Sequence, residues 1–433
     1  MPGRPHEPMR FGYRTQARVR EVGGRAWIYP TSMPFTVGVD KSTGPLAGCR
    51  VIEAARFVTG PYAAQMLADL GADVIKIEDP AGGDPFRGWG RGDAYGPVFV
   101  AFNRSKRSLT LDLRHQNSRE TVARLVRDAD VFIENFRPGV ADRLGIGYAA
   151  LSRENPRLVY CSITGLGADG PYAQRPTYDI VGQGLSGLLS QLVDLEDPLP
   201  MGPTLSDTLT GVYAAYGTLA ALHARERTGR GQLVETSLLQ STIAFMNEPF
   251  ATLFGNGRAP LARDRPRASQ VYAFTCADGL PIAIHLSSPT KFWQAFARAV
   301  GRAEMIDDPR FDTHRNRQKH WTLIQAELAP VFRTKSRPVW WEILVAADVP
   351  VAPIYQLDEA LNDPQVRHLG MIQTTTHPQH GAVNVVGFPV TLNDTALGPI
   401  SAPPGLGEHT DEILAQAGFT AAEIGAMRAA GML

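Results

Sequence analysis

Cysteine is scarce: only Cys49, Cys161 and Cys276 occur in 433 residues. They are far apart, their number is odd, and no C-x-x-C pair is present. That argues against a disulfide framework and a thiolate zinc site, and makes a reducing compartment, the cytoplasm, the expected location. No stretch reaches the roughly 18 uninterrupted apolar residues of a membrane span. Net charge is also absent, with 43 Lys+Arg against 43 Asp+Glu. There is no polycation to wrap nucleic acid and no acidic tail. H-E-x-x-H and G-x-S-x-G are both missing, which removes two hydrolase signatures. Lysine accounts for only six of the basic residues, a bias that reads as genome composition.

The residues that are present describe a folded chain. Apolar residues make up 44% and charged residues 20%, enough for a large core. Glycine and proline are frequent but lack a period, so collagen-like and low-complexity classes fail. Length suggests about three domains' worth of chain. Residues 1–32 hold six arginines against Glu7 and Glu21 and lack the apolar centre of a secretion signal. We read 1–44 as a disordered N-terminal arm outside the fold. A transit segment and a start at Met33 are the other readings.

From residue 49 onward, strands and helices alternate. CRVIEAARFV (49–58) leans toward strand, and Thr59-Gly60-Pro61 breaks it. YAAQMLADLGA has helical spacing with Gly71 as C-cap, and ADVIKIE is a buried-strand pattern. SLTLDL, a helix over 118–130 with Ser118 as N-cap, VFIENF and RLVYCSITG repeat the theme. Such alternation predicts a parallel α/β sheet. Ligands of these sheets sit at the carboxyl ends of strands, so the loops at 56–61, 134–144 and 164–179 are where a site is expected. A helix follows at 206–227, rich in Gly and Ala for close packing, and LVETSLLQSTIAFM resumes it. The composition loosens over 250–270. A strand pair (VYAFTCADG and LPIAIHLSS) and helices at 290–302 and 320–346 then form a smaller unit. A strand run (AVNVVGF) and a helical tail at 410–430 close the chain.

Several local patterns have plain readings. GLGADG (165–170) fits G-x-G-x-x-G, but Pro171 stands where the dinucleotide helix would start and no acid closes a following strand. It reads as a glycine-rich loop. His377 and His380 flank Pro378 in a turn, which is not a helical metal face. Cys161 reads as a small hydrophobe in a strand, and His285 as a strand-end or cleft residue. From spacing alone, Asp207 reads as a helix cap.

Longer motifs carry more information. GCRVIEAARFVTGPYAAQMLADLGADVIKIEDPAGGD, FNRSKRSLTLDL, ADVFIENFRPGVADRLGIG, RLVYCSITGLGADGPYAQRPTYDIVGQGLSGL, SDTLTGVYAAYGTLAALHARERTGRGQLVETSLL and the tail GLGEHTDEIL together resemble the class III CoA-transferase family, which includes the α-methylacyl-CoA racemases. The similarity covers 46–430. It implies an α/β fold with a large Rossmann-like domain, a smaller inserted α+β domain and two chains interlocked as a homodimer. Combined with the composition shifts, this sets the large CoA-binding domain at 45–245 plus 365–433. A linker follows at 246–270, the small domain at 271–350 and a return linker at 351–364.

The resemblance also implies a chemistry. The family's catalytic aspartate aligns with Asp207, a carboxylate able to form an acyl anhydride and then an aspartyl-CoA thioester. A helix start beside it is expected to help hold it ionised, and amides of the 56–61 loop are expected among the oxyanion donors. CoA-lining positions carry over to Phe57, Val58, Thr59, Leu111, Asn135, Phe136, Val140, Arg143, Leu144, Tyr178 and Leu238. Arg143 is a natural phosphate partner, and Leu238 stands in place of a methionine. No metal and no tightly bound cofactor is implied. The partners are an acyl-CoA, succinyl-CoA as donor, a small carboxylic acid and a second copy of the chain. Val58 replaces a glutamine of the formyl-CoA transferases, and Pro176 replaces their lysine. The racemase histidine aligns with Tyr178, a poor base at neutral pH, and a racemase glutamate aligns near Ser288. A CoA-transferase is therefore the expected function. A 2-methylacyl-CoA racemase and a non-catalytic CoA-binding relative are the alternatives.

Overall fold

The computed structural model describes residues 18–22, 25–29, 43–90, 95–287 and 289–433. They divide into two units, 1–40 and 41–433. In the first, Arg18–Val22 pairs antiparallel with Arg25–Tyr29. Thr43 and Gly44 of the expected disordered arm belong to the second unit, and the rest of it lies outside the described residues, as does Ser288.

The second unit is built on six parallel strands. They are β1 (Arg50–Glu53), β2 (Asp73–Glu78), β3 (Lys106–Thr110), β4 (Val131–Glu134), β5 (Val159–Thr164) and β6 (Leu233–Ser237). Their spatial order is β3-β2-β1-β4-β5-β6, with every neighbouring pair parallel. This is the strand order of the doubly wound dinucleotide-binding folds. The central strands are mostly apolar because both faces are covered, with Glu53, Lys76, Glu78 and Glu134 as buried exceptions. Val51, Val74, Val131 and Val159 pack on one face with helices α1 (Thr59–Asp69) and α5 (Leu205–Thr228). Ile52, Ile75 and Phe132 pack on the other with α2 (Ser118–Arg127).

The C-terminus returns to this second face. Ile413, Leu414, Ile424 and Met427 share its core. The Thr110 amide donates to Thr410 Oγ1 at 3.1 Å, and the Asp112 amide to Met432 O at 2.8 Å. Residues 271–353 instead make a separate antiparallel sheet, β9-β8-β7, from β7 (Val271–Thr275), β8 (Pro281–His285) and β9 (Val351–Pro353). It has its own core around Trp293, Phe296, Phe332 and Trp340.

Several local readings differ from the observed elements: the strand read at 108–113 is Lys106–Thr110, and Ser118 is the first residue of α2, whose N-cap is Asn117. Thr59-Gly60-Pro61 is the first turn of α1, where proline loses no hydrogen bond. Glycine is required there because a Cβ on Gly60 would lie 2.2 Å from Ala55 Cβ. LVETS is not helical but forms edge strand β6, whose polar Glu235 and Thr236 masked it. The 320–346 helix is two helices, Trp321–Phe332 and Arg337–Ala346, the second with Pro338 in its first turn. Among the described residues, no helix is long and apolar enough to cross a membrane.

Candidate active site at the sheet crevice

In the order above, the chain reverses its direction across the sheet between β1 and β4, which opens a crevice at their carboxyl ends. The loops after β1, β4 and β5 meet there with three helix starts, those of α4 (Asp179–Leu185), α5 and α6 (Leu238–Phe245). They enclose a cleft of about 750 Å³. Nine of the residues singled out from sequence line it: Phe57, Val58, Thr59, Asn135, Phe136, Val140, Tyr178, Asp207 and Leu238. Leu111 and Leu144 line a neighbouring pocket of about 260 Å³, which shares Arg56, Phe136 and Val140 with the cleft. Arg143 is exposed on the short helix α3 (Val140–Arg143) and lines neither space.

The loop after β1 is held from several sides. Asn135 accepts the Arg56 amide at 2.9 Å, and its side-chain nitrogen donates to Arg56 O at 2.7 Å and Thr59 Oγ1 at 3.1 Å. Its polar atoms are thus engaged in clamping the loop. Phe57 sits in the left-handed region at φ 65°, a conformation costing about 1–3 kcal/mol that persists only when surroundings enforce it. Asp84 does so by accepting the Phe57 amide at 3.2 Å while capping Phe86 at 3.0 Å.

Two fully buried lysines support that clamp. Lys76 Nζ contacts Glu53 Oε1 at 2.7 Å, Ala55 O at 2.9 Å and Asp84 Oδ2 at 3.0 Å. Lys106 Nζ contacts Glu53 Oε2 and Pro61 O, each at 2.8 Å, and Asn103 Oδ1 at 2.9 Å. Burial pulls Lys106 down to about 8, against the attraction of Glu53. For Lys76 burial acts in the same sense, but the Glu53 and Asp84 carboxylates outweigh it and hold its ammonium above the ordinary lysine range. The sequence reading missed this network. Its signal was the charged Lys76 and Glu78 inside an otherwise buried strand.

An aromatic wall runs from the loop across the cleft. Phe57 meets Tyr178 edge-on at 6.3 Å and Phe86 at 5.4 Å, and Phe86 contacts Trp89 at 4.9 Å. Such a wall suits an apolar chain or a ring face. Arg56, Arg137 and Arg175 also line the cleft. None has an acidic partner among the described residues, and Arg175 stacks on Tyr172 at 3.7 Å. They suit anionic groups of a ligand. Arg56 and Arg137 were passed over although they adjoin the selected Phe57 and Phe136.

Asp207 is the third residue of α5 and is half-buried. The residues around it fix the helix start. Gly182 of α4 leaves room for Ser206, whose Oγ lies 2.6 Å from Thr242 Oγ1 on α6. The Asp207 amide donates to Asp179 Oδ1 at 3.0 Å. Its own carboxylate oxygens have no partner among the described residues. Burial, then the Asp179 carboxylate, push Asp207 up to about 7. The expected help from the helix start is thus offset, because a second acid has taken the amide there. Of the loop amides expected as oxyanion donors, those of Arg56 and Phe57 are engaged with Asn135 and Asp84. Those of Val58, Thr59 and Gly60, at the start of α1, have no acceptor among the described residues.

The remaining motifs lie apart from this chemistry. After GLGADG no helix begins until Asp179. Cys161 is fully buried, and burial pushes its thiol up to about 12. His285 is exposed at the end of β8, outside the cleft. His377 is buried at a strand end, and His380 stacks on Tyr95 at 3.9 Å. Among the described residues no group of three or more His, Cys, Asp or Glu is placed to hold a metal ion.

Comparison with known proteins gives a consistent picture. The model of CoA-transferase family III matches residues 46–410. The succinate–glutarate CoA-transferase of Agrobacterium fabrum is 35% identical over 395 residues, covering 86% of this chain and 95% of its own length. The formyl-CoA:oxalate CoA-transferase of Streptomyces coelicolor is 32% identical over 415 residues, covering 90% and 99%. The crystal structure of a CAIB/BAIF family protein from Brucella suis is 33% identical with a TM-score of 0.78, covering 87% of this chain and 100% of that one.

Proposed function

We propose, from the premise that this chain belongs to CoA-transferase family III and is an enzyme of that class, that it carries CoA from succinyl-CoA to a small carboxylic acid through Asp207. One observation carries this reading: a half-buried carboxylate with no hydrogen-bond partner among the described residues lines a cleft together with three guanidinium groups that have no acidic partner among those residues. The relatives' names pair small acids, succinate with glutarate and formyl-CoA with oxalate.

In the first step an Asp207 oxygen attacks the thioester carbonyl. The C–S bond breaks, and the CoA thiolate leaves with its electron pair, giving a mixed anhydride. The thiolate then attacks the Asp207 side-chain carbonyl, forming aspartyl-CoA and releasing the donor carboxylate. The acceptor acid repeats the two steps in reverse order. One thioester replaces another, so the exchange is nearly thermoneutral. Each preorganised donor to the oxyanion is worth about 2.7–4 kcal/mol, and the amides of Val58, Thr59 and Gly60 are the available ones. Arg56 and Arg137 suit the CoA phosphates, and the aromatic wall suits its apolar arm.

The test is incubation with succinyl-CoA and a panel of carboxylic acids, following new thioesters and the intact enzyme by mass spectrometry. New thioesters are expected, together with an enzyme species heavier by CoA and sensitive to hydroxylamine. Absence of both overturns the reading. Deuterium uptake at C2 of a 2-methylacyl-CoA without any acceptor would instead identify a racemase.

An interlocked homodimer, whose small domain is the 271–350 unit extended through β9 to 353, and a cytoplasmic location complete the proposal. The dimer is supported by surface that a single chain leaves bare. Helix Asn247–Asn256 buries no residue, and Phe254 is 79% exposed. Helices Leu357–Asn362 and Pro364–Leu369 bury none either. Light scattering on the purified protein is expected to give twice the chain mass at micromolar concentration, and a monomer would refute the dimer.

A further inference from the structure

Two acids share the start of α5. Asp179 is the first residue of α4, and its carboxylate is committed on both sides. One oxygen accepts the Asp207 amide at 3.0 Å, and the other accepts from the side chain of Gln183, one turn further along α4. Gln183 is buried, so Asp179 is held pointing at α5. We propose that Asp179 is a positioning residue for the exchange: it fixes the helix start that presents Asp207, and it places a like charge beside the nucleophile that is relieved once Asp207 is acylated. The inference rests on Asp207 being the covalent nucleophile.

The charge balance of the reaction explains why this placement helps. In its reactive, ionised form the Asp207 carboxylate lies beside that of Asp179 in a half-buried site. When the Asp207 oxygen bonds to the acyl carbon and the C–S bond breaks, the charge moves from Asp207 to sulfur. When the thiolate attacks the Asp207 carbonyl, the charge leaves with the donor carboxylate. Asp207 is neutral in both the anhydride and the thioester. Repulsion from Asp179 therefore raises the energy of the resting enzyme but not of the covalent states. A more basic carboxylate is also a better nucleophile, and burial with Asp179 brings Asp207 to about 7.

The other charged or titratable groups lining the cleft are Arg175 and Tyr178 ahead of α4, Arg56 after β1 and Arg137 after β4. α6 contributes only the apolar Leu238, and the residue before α5 only Thr204. Burial and the Asp179 carboxylate are what raise Asp207, and Asp179 is the other acid lining the cleft.

Asparagine separates the two roles, because its carbonyl still accepts the Asp207 amide while the charge is gone. Gln183 can turn its amide to accept from the new NH₂ group. The experiment compares pH–rate profiles of exchange for the parent, Asp179→Asn and Asp179→Glu. Intact mass during turnover and CoA affinity by calorimetry are measured on each. In Asp179→Asn the acid limb is expected about one pH unit lower. Its kcat falls, less enzyme carries CoA, and CoA affinity stays within about twofold. Asp179→Glu keeps the charge and retains a limb near the parent's. Coincident limbs in the parent and Asp179→Asn, or an equal downward shift in Asp179→Glu, overturn the proposal. If the parent itself never shows a CoA adduct, the fault lies with Asp207 as nucleophile rather than with Asp179.

Discussion

Replacing Asp207 by alanine is expected to lower CoA exchange by more than about 10⁴-fold, the scale on which covalent enzymes lose activity without their nucleophile. Binding should survive. The guanidinium groups, the aromatic wall and the amides of Val58, Thr59 and Gly60 are all elsewhere, so CoA affinity should change by no more than a few-fold. Stability should survive as well, for a reason specific to this site. The Asp207 carboxylate makes no hydrogen bond among the described residues and lies beside Asp179. Its removal leaves no buried partner unsatisfied and ends a like-charge repulsion. The Asp207→Ala protein is therefore expected to melt at or above the parental temperature while being inactive. Exchange assayed by mass spectrometry and a thermal melt check both halves. Activity within a hundredfold of the parent would remove Asp207 from the mechanism. A large drop in melting temperature would mean that the carboxylate is structural.

The parts of this site that sequence discloses are those written in local patterns. Apolar runs separated by helical spacing announce β1, β2, β4 and β5 and place loops at their carboxyl ends, whereas β3 starts two residues before the SLTLDL run and ends at Thr110. The structure gathers the loops near 56–61, 134–144 and 164–179 into one cleft. The strand order is another matter. Whether β1 neighbours β4 rather than β3 is decided by pairing across 80 residues, such as Val51 against Val131, and no local signal specifies it. Asp207 illustrates the same limit. Spacing alone made it a helix cap, because nothing near it in sequence reveals Asp179, 28 residues earlier, as the group that accepts its amide. Only the resemblance to a known family drew attention to it. Asp84 escaped notice for a related reason. In DPAGGDP it reads as a turn acid, while its partners, the Phe57 amide and the Lys76 ammonium, come from other elements. Leu233–Ser237 was missed because an edge strand does not need an apolar run.

Lys76→Met should be the most damaging substitution away from the cleft, destabilising the fold by about 3–5 kcal/mol, the usual cost of removing one partner from a buried ion pair. Lys76 and its partners are all fully buried. Methionine fills a similar volume but leaves Asp84 Oδ2, Glu53 Oε1 and Ala55 O facing apolar atoms. Lys106 remains on Glu53, so the loss concentrates at Asp84. That residue also holds the Phe57 amide, so the damage is expected to reach the site. With its carboxylate no longer neutralised, the enforced left-handed turn at Phe57 loosens, and the amides beside it lose their preorganisation. Two measurements separate this from general unfolding. Denaturant titration should show the stability loss, and kcat measured well below the new melting temperature should fall further than CoA affinity does. A companion Lys106→Met substitution leaves the Asp84 pair in place and should destabilise without the same loss of kcat. If the two lysine variants prove kinetically alike, the buried charges support the sheet alone, and Asp84 does not transmit their effect to the cleft.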